Sequence, residues 1–136
     1  MSELLYRAVN PKTYLELADG LSLESDETAK RTAADRAYYA AFLVSRDTLA
    51  ERGYITPYYS SDDHKYVSET LKRKDVLGSF GNDEARIRFA RNLTTYDTRD
   101  ISREQQSARS LKWILDTAKQ IIERVENLPI NPHMGQ

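Results

Sequence analysis

The sequence predicts an all-α protein that folds as an antiparallel bundle of about five helices. Apolar residues recur at spacings of three and four along several segments, and residues that favour helix starts precede those segments. No segment has the alternating pattern of a convincing strand. At 136 residues the chain has the length of one domain. We expect this domain to cover residues 1–128, followed by a loose tail over residues 129–136.

The first two helices are predicted from their start signals. Asn10 and Pro11 favour a short first helix, because asparagine caps helices and proline suits the first helical position. Ser25-Asp26-Glu27 starts a second helix that meets no glycine or proline before Gly53 and would be ~40 Å long. Both sides of this helix are apolar, which predicts a central position; the residues concerned are Ala33, Ala37, Ala40, Ala41 and Val44 on one side and Tyr39, Phe42 and Leu43 on the other.

A third and a fourth helix follow a loop that is rich in tyrosine. The third is predicted from Asp62 to Asp75, and Gly78 and Gly81 bracket a break after it. Asn82 is expected to cap the fourth helix, which would end near residues 94–97. Its apolar face is predicted to consist of Ala85, Phe89 and Leu93.

The fifth helix is predicted from a capping box formed by Ser102 and Gln105. Apolar residues continue the helical spacing up to an end near Asn127, with Pro129 beyond it. These residues are Ala108, Leu111, Leu115, Ala118, Ile122 and Val125.

The composition excludes several classes of function. A formal net charge of −1 argues against a strongly basic nucleic-acid binder, so a phosphate site would have to be a local patch. No cysteine is present, which excludes disulfides and thiolate metal sites, and two histidines exclude a zinc site with several imidazoles. One histidine with carboxylates stays open as a metal site, although we expect no metal or cofactor. The longest apolar run has eight residues, far below the ~20 of a membrane helix, so we expect a cytoplasmic protein.

Charged residues mark two candidate sites. Asp35 and Arg36 interrupt the apolar second helix, so they either pair with neighbours or reach a polar cleft. Arg88, Asn92 and Tyr96 form a polar stripe on the fourth helix, next to Arg86 and Arg91. Such a stripe either grips phosphate or consists of solvated and paired arginines.

Other residues leave alternatives open. His64 is either a loop histidine or a proton carrier beside the cleft, whereas His133 belongs to the tail. The nine tyrosines either stack on bases or pack in the core and at a dimer face. The run at residues 72–74, Lys-Arg-Lys, is either a phosphate patch or a helix end that complements its dipole.

Two segments resemble the HEPN family of prokaryotic all-helical domains, in its compact single-domain branch. They are Asp35-Arg-Ala-Tyr-Tyr-Ala-Ala-Phe42 and Arg91-Asn-Leu-Thr-Thr-Tyr96-Asp97, and the likeness covers roughly residues 24–125. The family's signature is an arginine, a polar residue and then a histidine four to six residues past the arginine. Arg91 and Asn92 match its start, but Tyr96 stands at the shortest spacing for the histidine.

The resemblance implies metal-independent RNA cleavage, in which the ribose 2′-hydroxyl attacks the adjacent phosphate. Arg91 and Asn92 would hold the phosphate, and Tyr96 would donate a proton or orient the RNA. Supporting or RNA-binding roles would fall to Asp35, Arg36, Arg88 and His64. It also implies a two-fold homodimer with a shared cleft, as the toxin of a toxin–antitoxin or defence pair. Arg91 and Tyr96 are about 140° apart on a straight helix, so the helix must end early or the partners come from two chains.

The same resemblance leaves a second function open, a non-catalytic module that binds RNA or a partner. A small nucleotidyltransferase acting as antitoxin is the partner that the family suggests, and Tyr96 would then be a candidate for modification. A purely structural helical dimer is a third possibility, which would show all arginines in surface ion pairs and no cleft.

Overall fold

A computed structural model describes residues 6–96 and 110–133, and this part of the chain is helical without strands. The helices are α1 (Thr13–Ser22), α2 (Glu27–Glu51), α3 (Asp62–Leu71), α4 (Asn82–Tyr96) and α5 (Leu111–Glu126). A 3₁₀ turn, Gly78–Gly81, leads directly into α4. The predicted all-α bundle of five helices is confirmed.

Contacts between helix ends show how the bundle is arranged. Arg31, near the start of α2, donates to the carbonyl of Thr94 near the end of α4 at 3.3 Å, so these helices are antiparallel. Arg52, just after α2, donates to the carbonyl of Val125 at the end of α5 at 3.1 Å, so α2 and α5 run in the same direction. Helix α2 is therefore antiparallel to α4 and parallel to α5 within the bundle.

Helix α2 is the central helix, as the sequence predicts. Asp26 caps it by accepting a hydrogen bond from the backbone N–H of Thr28 at 3.3 Å. The alanines of the predicted row are fully buried, and Phe42 and Leu43 on the other side of the helix are also buried. Small side chains at this row allow close approach of the neighbouring helices, so α2 packs against each of the other four.

Two predictions between α3 and α4 are wrong. Helix α3 ends at Leu71 rather than Asp75, because the chain turns back and the backbone N–H of Leu77 donates to the Leu71 carbonyl at 3.2 Å. Asn82 does not cap α4, because it already has helical backbone angles as the first residue of the helix. The run at residues 72–74 therefore lies in a turn, where Arg73 pairs with Asp75.

The predicted apolar face of α4 is also wrong. Phe89 is 60% exposed, whereas Ile87 and Ala90 are fully buried. The buried face of α4 also contains Glu84 and Thr94. Hydrophobic periodicity cannot identify a buried face that carries polar residues. For this reason it predicted the face of Ala85, Phe89 and Leu93 instead.

The fifth helix starts later than predicted. Ser110 has an extended backbone and its hydroxyl accepts from the N–H of Trp113 at 3.2 Å, so α5 begins at Leu111. The predicted capping box at Ser102 and Gln105 lies outside the described residues. The apolar positions from Leu115 to Val125 and the end near Asn127 are as predicted.

The chain beyond α5 contacts the end of α2. Tyr54 donates to the carbonyl of Pro129 at 3.0 Å, and the Asn131 side chain donates to the carbonyl of Gly53 at 3.1 Å. The chain is therefore bound to the bundle as far as Asn131. None of the described helices combines the length and hydropathy needed to cross a membrane.

Candidate functional site

A group of polar side chains lies where α2, α3 and α4 meet, beside the apolar core of the bundle. We call it the polar cluster, and it consists of Asp35 and Tyr38 from α2, His64 and Ser68 from α3, and Glu84, Arg88 and Arg91 from α4. Positions 84, 88 and 91 share one face of α4, because they are spaced by four and three residues. The antiparallel pairing of α2 and α4 then places Asp35 beside Arg91 and Tyr38 beside Glu84.

A hydrogen bond of 2.6 Å joins the hydroxyl oxygen of Tyr38 to Nδ1 of His64. Tyr38 is completely buried, whereas His64 is partly exposed and its ring stacks on Phe42 with 4.0 Å between the centroids. Nδ1 is bonded to the interior, so Nε2 is the nitrogen that remains for an external group. The stacking on Phe42 therefore fixes the plane of the imidazole, and the hydrogen bond to Tyr38 occupies one of its two nitrogens.

The loop before α3 is fixed by the residue next to His64. Asp63 is almost completely buried, and its carboxylate accepts hydrogen bonds from the backbone N–H groups of Tyr58 and Tyr59 at 2.9 and 2.8 Å. Tyr59 has a φ of +56°, which side chains larger than glycine rarely adopt, so these bonds hold a strained backbone in place. The Tyr59 ring lies under the guanidinium of Arg46 at 4.9 Å, which adds a cation beside the cluster.

Burial and the nearby arginines keep His64 in its neutral form. Burial first, and then the positive charges of Arg88 and Arg91, lower the pKa of His64 from its ordinary value to about 4. The imidazole is therefore neutral at pH 7. Arg91 lies 4.6 Å from the centroid of the Tyr38 ring and pairs with Asp35 at 3.7 Å, with 11% of its side chain exposed.

Glu84 is the most unusual residue of the cluster. It is completely buried, and neither carboxylate oxygen accepts a hydrogen bond of normal geometry, although the hydroxyls of Ser68 and Tyr38 approach it. Burial raises the pKa of Glu84 to about 7, although those hydroxyls and Arg88 favour the charged form. Burial and the neighbouring Glu84 also raise the pKa of the Tyr38 hydroxyl well above its usual range, so Tyr38 stays protonated.

The structure brings together four of the residues predicted from the sequence. Asp35, Arg88, Arg91 and His64 all belong to the polar cluster. The alternative in which Asp35 pairs with neighbours holds, since it contacts both Arg36 and Arg91.

Three predicted residues lie elsewhere or are not described. Arg36 is turned toward α1, where its guanidinium lies 5.6 Å from the ring of Tyr14. Asn92 is exposed, about 80° around the α4 axis from Glu84. The backbone is helical through Tyr96, which excludes the early helix end, but its side chain lies outside the described residues. Positions 91 and 96 of one chain therefore lie on different sides of α4.

Sequence reasoning missed Tyr38, Ser68 and Glu84. The available signal was the spacing of Glu84, Arg88 and Arg91 at i, i+4 and i+7, which places one acid and two bases on a single helix face. Glu84 was instead a plausible exposed acid in the first helical turn.

No group of three His, Asp or Glu side chains that would hold a metal ion occurs within residues 6–96 and 110–133. No protein-family model, curated protein or solved structure matches this chain.

Proposed function

We propose that this chain is a HEPN-like, metal-independent endoribonuclease that acts in the cytoplasm as the toxin of a toxin–antitoxin or defence pair. The observation that supports this most directly is the position of His64 beside Arg88 and Arg91, with Nδ1 of the ring bonded to Tyr38. A neutral imidazole next to two guanidinium groups is suited to phosphodiester chemistry, which needs a proton carrier and cations for the phosphate.

The proposed reaction needs only the RNA and this protein. Nε2 of His64 accepts the proton of a ribose 2′-hydroxyl, whose oxygen attacks the adjacent phosphorus while the bond to the 5′-oxygen breaks. The products are a 2′,3′-cyclic phosphate and a 5′-hydroxyl, and the proton returns from Nε2 to the leaving oxygen. A bound phosphate offsets the charges of Arg88 and Arg91, which are two of the causes that lower the pKa of His64, whereas burial, the largest cause, remains.

The remaining predicted residues have roles at the proposed dimer cleft. Asp35 holds Arg91 in position through its ion pair. We assign Asn92 and Tyr96 to orienting the RNA, with Tyr96 contributed by the second copy, because positions 91 and 96 of one chain lie on different sides of α4. Sedimentation equilibrium tests the homodimer: we expect twice the 15.7 kDa mass of the chain, and a monomer at micromolar concentration would contradict it.

Cleavage of a mixed single-stranded RNA in EDTA tests the activity. We expect cyclic-phosphate products from the wild type, with a loss of at least about 100-fold in His64→Ala, as for removal of a proton carrier. His133→Ala is the matched control, because it removes the other histidine of the chain and should cleave normally. Arg91→Lys keeps the charge but not the forked donor geometry, so it should also be impaired.

Equal cleavage by His64→Ala and His133→Ala would contradict the proposal. So would intact RNA in every sample, together with no growth arrest when the wild-type protein is expressed.

A non-catalytic module is the second candidate, and one observation favours it. Arg91 is mostly covered and engaged by Asp35 and the Tyr38 ring, as a structural arginine would be. In that case the protein would bind RNA without cutting it, or dock on a nucleotidyltransferase-type antitoxin. Co-expression with such an enzyme, followed by intact-mass measurement of wild type and Tyr96→Phe, would detect nucleotidyl units added at Tyr96.

A further inference from the structure

We infer that Glu84, Tyr38 and His64 form a proton relay, in which the ionisation of the buried Glu84 selects the tautomer of His64. The inference deepens the proposed function, because it assigns a positioning role to a carboxylate that no step of the reaction above uses. It rests on geometry, namely one buried tyrosine hydroxyl that is hydrogen-bonded to the imidazole and lies close to a buried carboxylate.

The first part of the argument is the arrangement of the three groups. The Tyr38 oxygen lies 2.6 Å from Nδ1 of His64, and the same hydroxyl approaches the carboxylate of Glu84. Tyr38 is completely buried, and so is Glu84, so water does not replace either contact. A hydroxyl has one proton to donate, so Tyr38 can donate to only one of its two neighbours at a time.

This restriction couples the carboxylate to the imidazole. When Glu84 is ionised, Tyr38 donates to the carboxylate, and its oxygen then accepts from Nδ1–H of His64. Nε2 is then left with a lone pair and is a proton acceptor. When Glu84 is protonated, the carboxyl donates to Tyr38, which donates to Nδ1, and Nε2 carries the hydrogen and is a proton donor.

The proposed cleavage uses both forms in sequence. As Nε2 accepts the proton of the 2′-hydroxyl, the proton on Nδ1 moves to the Tyr38 oxygen, and the proton of Tyr38 moves to Glu84. His64 then remains neutral with hydrogen on Nε2, Tyr38 is unchanged, and Glu84 has gained one proton. Donation from Nε2 to the leaving 5′-oxygen reverses these transfers, so the protein ends in its starting state.

The electrostatics of the cluster favour this route over an imidazolium ion. The charged groups facing His64 are Arg46, Asp63, Arg88 and Arg91, of which three are cations that oppose a positive imidazole. The groups facing Glu84 are Tyr38, Ser68, Lys72 and Arg88. The pKa of Glu84 at about 7 makes both of its forms accessible near neutral pH, whereas the pKa of Tyr38 keeps a tyrosinate out of the relay.

The tautomer of His64 can be measured without any RNA. In ¹⁵N-labelled protein the hydrogen-bearing and the bare ring nitrogen have distinct shifts, and the chain has only one other histidine, His133. We expect the two nitrogens of His64 to exchange these shifts between pH 5.5 and 8.5, with a midpoint near 7. Glu84→Gln and Tyr38→Phe should each abolish the exchange. Asp83→Asn is the matched control, because it neutralises the preceding acid of the same helical turn and should leave the exchange intact.

A pH profile of RNA cleavage by the same proteins gives the second readout. The relay predicts that kcat/KM of the wild type rises about tenfold per pH unit below 7 and is constant above it. In Glu84→Gln this rise with pH should be absent, and the rate should be about 100-fold lower. A single His64 tautomer at all pH values, an exchange that survives Glu84→Gln, or equal cleavage profiles for wild type and Glu84→Gln would each overturn the relay. A Glu84-dependent exchange in a protein that leaves RNA intact would support the coupling and instead reject the ribonuclease.

Discussion

At the scale of single residues, burying the carboxylate of Glu84 has an electrostatic cost for the folded state. A completely buried carboxylate that accepts no hydrogen bond of normal geometry destabilises the fold in its charged form. Arg88 and the nearby hydroxyls offset only part of this cost, because the pKa of Glu84 is still raised. Ile87 and Ala90 on the same helix are buried at no such cost, so a leucine or methionine at position 84 would suit packing alone. The free energy of unfolding should therefore depend on whether position 84 carries a carboxylate.

Glu84→Gln should become more stable relative to the wild type as the pH rises. The pKa of Glu84 is about 7 in the fold and 4.5 in the unfolded chain, so the native state retains the proton longer and wild-type stability falls over that interval. Glutamine does not titrate, so the difference in unfolding free energy should grow by about 3 kcal/mol between pH 4.5 and 8.

Urea denaturation at a series of pH values measures this difference. The opposite pH dependence expected from His64, whose pKa is lowered by the fold, occurs in both proteins and cancels. Asp83→Asn serves as the control that keeps Glu84, and a pH-independent difference between wild type and Glu84→Gln would refute the prediction.

The sequence predicted the polar cluster only in part, for a physical reason that these residues illustrate. Asp35, His64, Arg88 and Arg91 attract attention because a charge in an apolar helix, a lone histidine and an arginine-rich segment are visible in one dimension. Tyr38 and Glu84 form a candidate site only as a pair, and the sequence does not show that they are neighbours. They are brought together by the packing of α2 against α4.

At the scale of elements, the start of α4 depends on the close approach of two backbones. A Cβ atom on Gly81 would lie 2.2 Å from the carbonyl oxygen of Leu71, so only glycine allows the 3₁₀ turn to pass the end of α3. This contact determines where α4 begins, and therefore where Glu84 lies along α2 relative to Tyr38. It also explains why α3 ends at Leu71, four residues before the predicted position.

Gly81→Ala should destabilise the protein by about 3 kcal/mol, because backbone atoms must move to admit the methyl group. Gly20→Ala is the matched comparison: it lies within α1 with nothing within 4 Å of the added Cβ, so it should stabilise by about 0.5–1 kcal/mol. Thermal or urea unfolding of the two variants measures both effects. Similar stabilities for the two proteins would show that the turn is not as tightly held as the structure indicates.

At the scale of the whole molecule, one end of the bundle is closed by Arg52. Its guanidinium donates to the carbonyls of Val125 and Glu126 at 3.1 and 2.6 Å, and also to that of Leu128. These carbonyls belong to the end of α5 and the residues after it, and that of Val125 also accepts from the backbone N–H of Leu128 at 3.0 Å. One side chain thereby joins the end of α2 to the end of α5 and to the residue Leu128 beyond it.

Arg52→Met should destabilise the protein by about 2–3 kcal/mol, because the side chain no longer satisfies these carbonyls. Arg73→Met removes an arginine whose pair with Asp75 is exposed, and it should change stability by less than about 1 kcal/mol. Chemical denaturation of the two proteins in parallel provides the comparison. An equal loss in both would show that the contacts of Arg52 contribute no more than an exposed ion pair.

The stacking of His64 on Phe42 also gives the molecule a built-in spectroscopic label. Protons held above the face of an aromatic ring are shielded by its circulating electrons, and the two rings are 4.0 Å apart and only 19° from parallel. The carbon-bound imidazole protons of His64 should therefore resonate at unusually high field. His133 is exposed in the chain after α5, and its carbon-bound imidazole protons give the second set of histidine signals in the same spectrum. A one-dimensional proton spectrum would thus distinguish the two histidines without any mutation and report directly whether α2 and α3 remain in register.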